Sequence, residues 1–182
     1  MNSSFLEQTL MEENLFANNH KLESINLRGN YLSKLDLSVL NGLSSLMVLD
    51  LSKNRLQSLS VYKSPKIETL RELLVQDNQL TELNENMIVK KYPNLERMLI
   101  QRNSLQCERV EEMSQLFEEY EISMQEDEKN GQGRNQNIVG DVSCLSDRQW
   151  NSLSCETRFA AIRDEWMWLK TQMDAIDDEI EE

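Results

Sequence analysis

The chain has 182 residues, 39% of them hydrophobic, with 5 Gly, 2 Pro and 3 Cys, so it has room for one domain and an appendage and is neither collagen-like nor compositionally disordered. Its formal net charge of −13 is concentrated at one end: residues 1–106 carry 12 acids and 12 bases, 107–155 carry 11 and 4, and 156–182 carry 9 and 3. No basic patch supplies phosphate contacts, which argues against nucleic acid or an anionic membrane as partner, and no run of about 18 apolar residues offers a membrane span.

The chain opens Met1-Asn2-Ser3-Ser4-Phe5-Leu6-Glu7. A secretory leader needs a basic start and an apolar stretch, and this segment has neither. Asn2-Ser3-Ser4 is a glycosylation sequon, a weak signal when it stands alone.

From Leu22 a spacing repeats. Leu22-x-x-Ile25-x-Leu27-x-x-Asn30-x-Leu32 recurs as Leu46-x-x-Leu49-x-Leu51-x-x-Asn54-x-Leu56. It recurs again from Leu70 through Leu73, Val75 and Asn78 to Leu80, and from Leu95 through Met98, Ile100 and Asn103 to Leu105. The steps are 24, 24 and 25 residues, every apolar slot is filled, and Asn holds the ninth position each time. This resembles the leucine-rich repeat, which implies an α/β solenoid of horseshoe form over residues 1–106. Its fourth and sixth positions alternate along a short strand and point inward. One coil cannot bury its own apolar edge, so coils stack. The amides of Asn30, Asn54, Asn78 and Asn103 supply both donor and acceptor where the chain leaves the strand, and form a ladder.

Upstream, Leu10, Leu15-Phe16 and Leu22 match the convex half of such a repeat, with no polar cap before them. The expectation is a chain that begins inside a longer horseshoe, the alternative being a makeshift cap over residues 1–21.

Positions three, five, seven and eight face the concave side. In stacked order they read Ser24, Val48, Glu72, Arg97; Asn26, Asp50, Leu74, Leu99; Arg28, Ser52, Gln76, Gln101; and Gly29, Lys53, Asp77, Arg102. Val48, Asp50, Glu72, Leu74, Arg97 and Leu99 are the candidate binding residues. Leu74 and Leu99 are expected to be adjacent and exposed beside Val48, forming an apolar patch or simply ordinary surface leucines.

After Cys107 come Val110, Met113, Leu116, Phe117 and Tyr120 at helical spacing. A polar loop is expected from Gln125 to Gln136, then one short strand over Ile138–Cys144. The layout resembles the C-terminal cap of extracellular leucine-rich-repeat proteins. That resemblance implies a Cys107–Cys144 disulfide within a cap over residues 107–150. The usual Cys-x-Cys pair is here only Cys107 followed by Glu108 and Arg109. The alternative is three reduced thiols in a cytosolic protein.

An odd cysteine in a secreted chain suggests an intermolecular bond, and Cys155 is left over. From it run Phe159, Ile162, Trp166, Leu169, Met173, Ile176 and Ile180, spaced by four and three. This is a heptad seam over residues 151–182, read as the start of a coiled-coil helix or as an amphipathic helix packed on the cap. Trp168 sits off that seam.

Repeats, a cysteine-bearing cap, a spare thiol and a heptad helix, in that order, resemble the secreted leucine-rich-repeat immune proteins of mosquitoes with their C-terminal coiled coil. The resemblance implies an extracellular haemolymph protein. It would dimerise with a related leucine-rich-repeat chain through an interchain bond at Cys155, and would hold a complement-like thioester protein. The chain departs from that family in lacking a leader, most repeats and most of the coiled coil.

No catalytic, metal or cofactor motif is found. His20 has no cysteine or histidine at ligand spacing, and Glu126-Asp127-Glu128 lacks calcium-loop spacing. The expected function is therefore a non-enzymatic protein-binding scaffold, in innate-immune recognition or stabilisation of a complement-like factor. The residues leave open an intracellular acidic adaptor that regulates other proteins and, more remotely, a regulatory fragment of an enzyme.

Overall fold

Strands of three residues punctuate the chain, in a computed structural model that describes residues 16, 18–125, 137–139, 142–146 and 149. In order they are β1 (Ser24–Asn26), β2 (Lys34–Asp36), a 3-10 turn (Leu37–Leu40), β3 (Val48–Asp50), β4 (Ser58–Ser60) and β5 (Glu72–Leu74). Then come α1 (Glu85–Lys91), β6 (Arg97–Leu99), α2 (Cys107–Glu119), β7 (Asn137–Val139) and β8 (Val142–Cys144).

The repeat sets the sheet. β1, β3, β5 and β6 form a parallel four-stranded sheet in that order. Its register is the repeat offset itself: Ile25 faces Leu49, which faces Leu73, which faces Met98. These four side chains are buried, as are Leu51, Val75 and Ile100 at the sixth position and Leu32, Leu56, Leu80 and Leu105 at the eleventh. They belong to one continuous core. The result is a leucine-rich-repeat solenoid, each coil burying the apolar edge of the next.

A second parallel ladder, β2 with β4, pairs Leu35 with Leu59 across the coils. Two apolar residues one coil apart leave almost no periodic signal, so this ladder is not legible in the sequence. In the third coil a helix takes this place. Asn84 caps α1 by accepting from Met87 N at 2.9 Å, with Glu85 in its first turn and Lys90 and Lys91 in its last. Those charges oppose the helix dipole at both ends. The coil that trades strand for helix is also the one with the 25-residue step.

Beyond the fourth coil, α2 buries Val110, Met113 and Phe117 and partly buries Leu116. Tyr120, expected on the same stripe, is 50% exposed. The helix ends at Glu119, and Glu121 adopts φ 57° and turns the chain. Ile122 fills the core instead, its N–H bonding Phe117 O at 2.8 Å.

Within 138–144, expected as one strand, the described residues belong to two. β7 and β8 are antiparallel, with Asn137 facing Cys144 and Val139 facing Val142. Cys144 is joined to Cys107 by a disulfide that closes a separation of 37 residues. Leu145 continues alongside Gln106, with Leu145 N donating to Leu105 O and Cys107 N to Leu145 O. The heptad residues Phe159 to Ile180, Cys155 and the acid run 126–128 lie outside the described residues. No described helix is long and apolar enough to cross a membrane.

Candidate functional site: the concave sheet face

An Asn ladder runs beside this face. Asn54 Nδ2 donates to Leu51 O of its own coil and to Leu27 O of the preceding coil, both at 2.9 Å. Its Oδ1 accepts from Leu32 N at 3.1 Å. Asn78 repeats the pattern with Val75 O, Leu51 O and Leu56 N, each at 3.0 Å. Asn103 does so with Ile100 O, Val75 O and Leu80 N. Asn30, at the first coil, donates to Leu27 O at 2.7 Å. Asn54, Asn78 and Asn103 thus each tie two coils together through groups that the turn would otherwise orphan, while Asn30 bonds within its own coil.

The face shows two zones. On the strands, Val48, Asp50, Glu72, Leu74 and Arg97 are partly exposed, in the columns expected from the repeat. Leu99 is not: it is 4% exposed, so the expected Leu74–Leu99 surface patch is reduced to Leu74, which stands opposite Asp50 while Val48 stands opposite Glu72. Residues 121–125 return along the edge of β6. Ser123 bridges Arg97 in parallel, with Met98 N donating to Ser123 O at 2.9 Å and Ser123 N to Glu96 O at 2.8 Å. That extra edge segment follows α2 without a leucine-rich signature, so the repeat spacing gave no warning of it.

The second zone is formed by positions seven and eight, just past the strands. Ser52, Gln76 and Gln101 are all buried, and Arg28 Nη1 donates to Ser52 Oγ at 2.6 Å. Gln101 Nε2 donates to Met124 O. The side-chain carbonyls of Gln76 and Gln101 are buried with no hydrogen-bond partner. Position eight is left-handed in every coil, with φ 72° at Gly29, 55° at Lys53, 57° at Asp77 and 54° at Arg102. Arg102 forms a two-pronged ion pair with Asp77, its Nη2 donating to Oδ2 at 3.0 Å. The hydrogen bond from Arg102 leads the effects holding the Asp77 carboxyl below its ordinary range; Arg102, Lys53 and Arg28 also lower it by charge, against partial burial. A 25-residue offset separates Asp77 from Arg102, so the repeat itself placed these opposite charges side by side.

Two buried polar features lie away from the face. Glu85 is 5% exposed and accepts from Arg109 Nη2 at 3.1 Å on both oxygens, which ties α1 to α2. Tyr92 is buried and its hydroxyl meets Ser64 Oγ at 2.6 Å; burial raises its pKa. His20 lies exposed, with Nδ1 at 2.7 Å from Gly42 O. Among the described residues no three His, Cys, Asp or Glu side chains are grouped to hold a metal.

The family-model comparison agrees with the repeats over part of the chain. A leucine-rich repeat family model matches residues 15–67. A crystal structure of the leucine-rich repeat domain of APL1B is similar at 21% identity, with a TM-score of 0.43 over 58% of this chain. The match spans 38% of that chain, well short of its length. No curated protein matches.

Proposed function

We propose that this chain is a non-enzymatic, protein-binding scaffold of insect haemolymph that acts in innate immunity. The observation that carries the binding role is the concave face: a four-stranded parallel sheet whose outward side chains, Val48, Asp50, Glu72, Leu74 and Arg97, stand in partly exposed columns. An open array of mixed apolar and charged side chains on a sheet suits a protein surface better than an enclosed small molecule. The Cys107–Cys144 disulfide supports an oxidising, extracellular setting. The order of repeats, cap, Cys155 and heptad residues supports assembly with a related leucine-rich-repeat chain, with Cys155 as the interchain thiol. The same resemblance supports a complement-like thioester protein as the client.

Two measurements on the chain secreted into haemolymph test this reading. A photo-crosslinker at Leu74 is expected to capture a discrete protein that the same group at exposed Lys90 does not. Non-reducing electrophoresis is expected to show a covalent dimer that reduction, or Cys155→Ser, converts to monomer. A single unchanged band with three free thiols would overturn the secreted, covalently assembled form. Equal labelling from Leu74 and Lys90 would overturn the concave face as the binding surface.

A further inference from the structure

The loop after the 3-10 turn carries a reactive pair. Asn41 and Gly42 are both exposed. Asn41, at φ −55° and ψ 131°, and Gly42, at φ 88°, form a type II turn closed by Leu43 N donating to Leu40 O at 3.1 Å. His20 Nδ1 donates to Gly42 O at 2.7 Å, so the turn also holds the segment around His20.

The peptide unit between the two residues is unrestrained. Among the described residues neither Asn41 O nor Gly42 N has a hydrogen-bond partner, and the Asn41 side-chain amide has none either. That unit can therefore turn over while the bond from Leu43 N to Leu40 O stays closed, because type I and type II turns share it. Rotated through the fully extended setting, it brings Gly42 N toward Asn41 Cγ. Glycine has no Cβ to obstruct the approach and tolerates the accompanying change of φ.

Asparagine is thermolabile because its side-chain carbonyl carbon lies one ring closure from the next backbone nitrogen. Asn41 is the one asparagine among the described residues that precedes glycine. The ladder asparagines are placed against this chemistry. Asn54, Asn78 and Asn103 hold their amides on backbone groups of two coils, and the next residues, Arg55, Gln79 and Ser104, all carry a Cβ. Asn84 and Asn94 are also engaged, with Met87 N and Glu68 O.

We propose that Asn41-Gly42 is a self-modifying site, at which the folded chain converts its own asparagine to aspartate and isoaspartate with water as the only co-reactant. Gly42 N, stripped of its proton by hydroxide, attacks Asn41 Cγ. The N–Cγ bond forms, the Cγ–Nδ2 bond breaks, and the nitrogen leaves as ammonia with a proton taken from water. Water then opens the cyclic imide. Opening at Cγ gives aspartate; opening at the main-chain carbonyl leaves isoaspartate, whose backbone runs through Cβ and Cγ and is one atom longer. Nothing is oxidised or reduced. Either product adds a negative charge, and isoaspartate also lengthens the turn and withdraws Gly42 O from His20. The first full coil thus carries a clock that loosens the hold on the segment before β1 as the protein ages. This site is independent of the scaffold reading.

The test incubates the folded full chain in warm neutral buffer and maps its proteolytic fragments by mass spectrometry over time. Isoaspartate is scored separately with an isoaspartyl methyltransferase and S-adenosylmethionine. A synthetic peptide of residues 38–46 shows that the conditions support the reaction. The fragment carrying Asn41 is expected to gain the mass of an acid over an amide and to contain isoaspartate. It is expected to convert about tenfold or more faster than fragments carrying Asn54 or Asn78, whose amides must first give up several hydrogen bonds. Asn41→Gln is expected to stop the reaction at this position while leaving the NMR spectrum of the remaining coils in place. Amide exchange at Leu43 is expected to accelerate in the isoaspartyl fraction and to stay unchanged in Asn41→Asp, which separates the longer backbone from the added charge. A folded chain that stays intact at residue 41 while the peptide converts would overturn the proposal. So would an acid product without isoaspartate, or equal conversion at Asn54. An unchanged Leu43 amide in the isoaspartyl fraction would refute the loosening of the turn.

Discussion

Replacing Asn78 by alanine separates the ladder's two jobs, bonding and satisfying. Asn78 is 8% exposed and makes three bonds of 3.0 Å, to Leu51 O, Val75 O and Leu56 N. The two carbonyls have second donors, because Asn54 also bonds Leu51 O and Asn103 also bonds Val75 O. Leu56 N–H has no such substitute in the ladder, so the mutation leaves one buried donor orphaned. An orphaned buried group costs about 1–3 kcal/mol and each lost neutral bond about 0.5–1.5 kcal/mol, which places Asn78→Ala near 3 kcal/mol. Asn30→Ala loses one bond, to Leu27 O, and that carbonyl is also held by Asn54. No donor is orphaned, and its cost is about 1 kcal/mol. Equilibrium urea unfolding of both variants gives the comparison, with an unchanged slope as the check on two-state behaviour. Amide exchange at Leu56 is expected to accelerate in Asn78→Ala. Equal destabilisation by the two substitutions, or an unaltered Leu56 amide, would refute the reasoning.

Three further outcomes follow from the same structure. Arg109→Ala strands the buried Glu85 carboxylate and is expected to cost about 3 kcal/mol, whereas replacing both residues by Met recovers most of that loss in urea unfolding. Cys107→Ser opens the link to Cys144 across 37 residues and is expected to lower stability by about 4 kcal/mol in denaturant unfolding, against an unchanged midpoint for the parent chain under reducing and non-reducing conditions if the bond contributes nothing. For Asp77, Arg102 holds the folded pKa below the unfolded one. The stability it contributes is therefore present above the ordinary aspartate value of 3.8 and is lost as pH falls through the lower folded value. Asp77→Asn is expected to flatten that acid limb in a pH series of unfolding midpoints, and an identical limb in both chains would assign the loss to other carboxylates.

Legibility in the sequence tracked repetition. Four copies of one spacing placed the core leucines, the sheet register and the Asn amides, because stacking converts a 24-residue offset into a contact. The same kind of offset, 25 residues, sets Asp77 beside Arg102 and makes their ion pair. Where structure does not repeat, the signal vanished. Leu99 was assigned to the surface because its coil looked like the others, yet it is the last coil, and the returning 121–125 segment lies beside it. Tyr120 continued a helical spacing that the backbone had already abandoned at Glu119. The second ladder through Leu35 and Leu59, and the exchange of strand for α1 in the next coil, rest on contacts too few to leave a period. The burial of Gln76 and Gln101 depends on what packs over them, which no single-chain pattern encodes.

Ser123 against Arg97 has an evolutionary consequence. With Ser123 bridged to Arg97, the hydrogen-bonding edge of the last strand is already engaged, so a further strand pairing there would first have to displace the 121–125 segment. Duplication or deletion of a whole coil between Leu22 and Gln101 leaves that terminus untouched and restores the same register on either side of the join. The reach of the face can therefore change in steps of one coil, by unequal crossing-over within the gene, while the stop is inherited as a block.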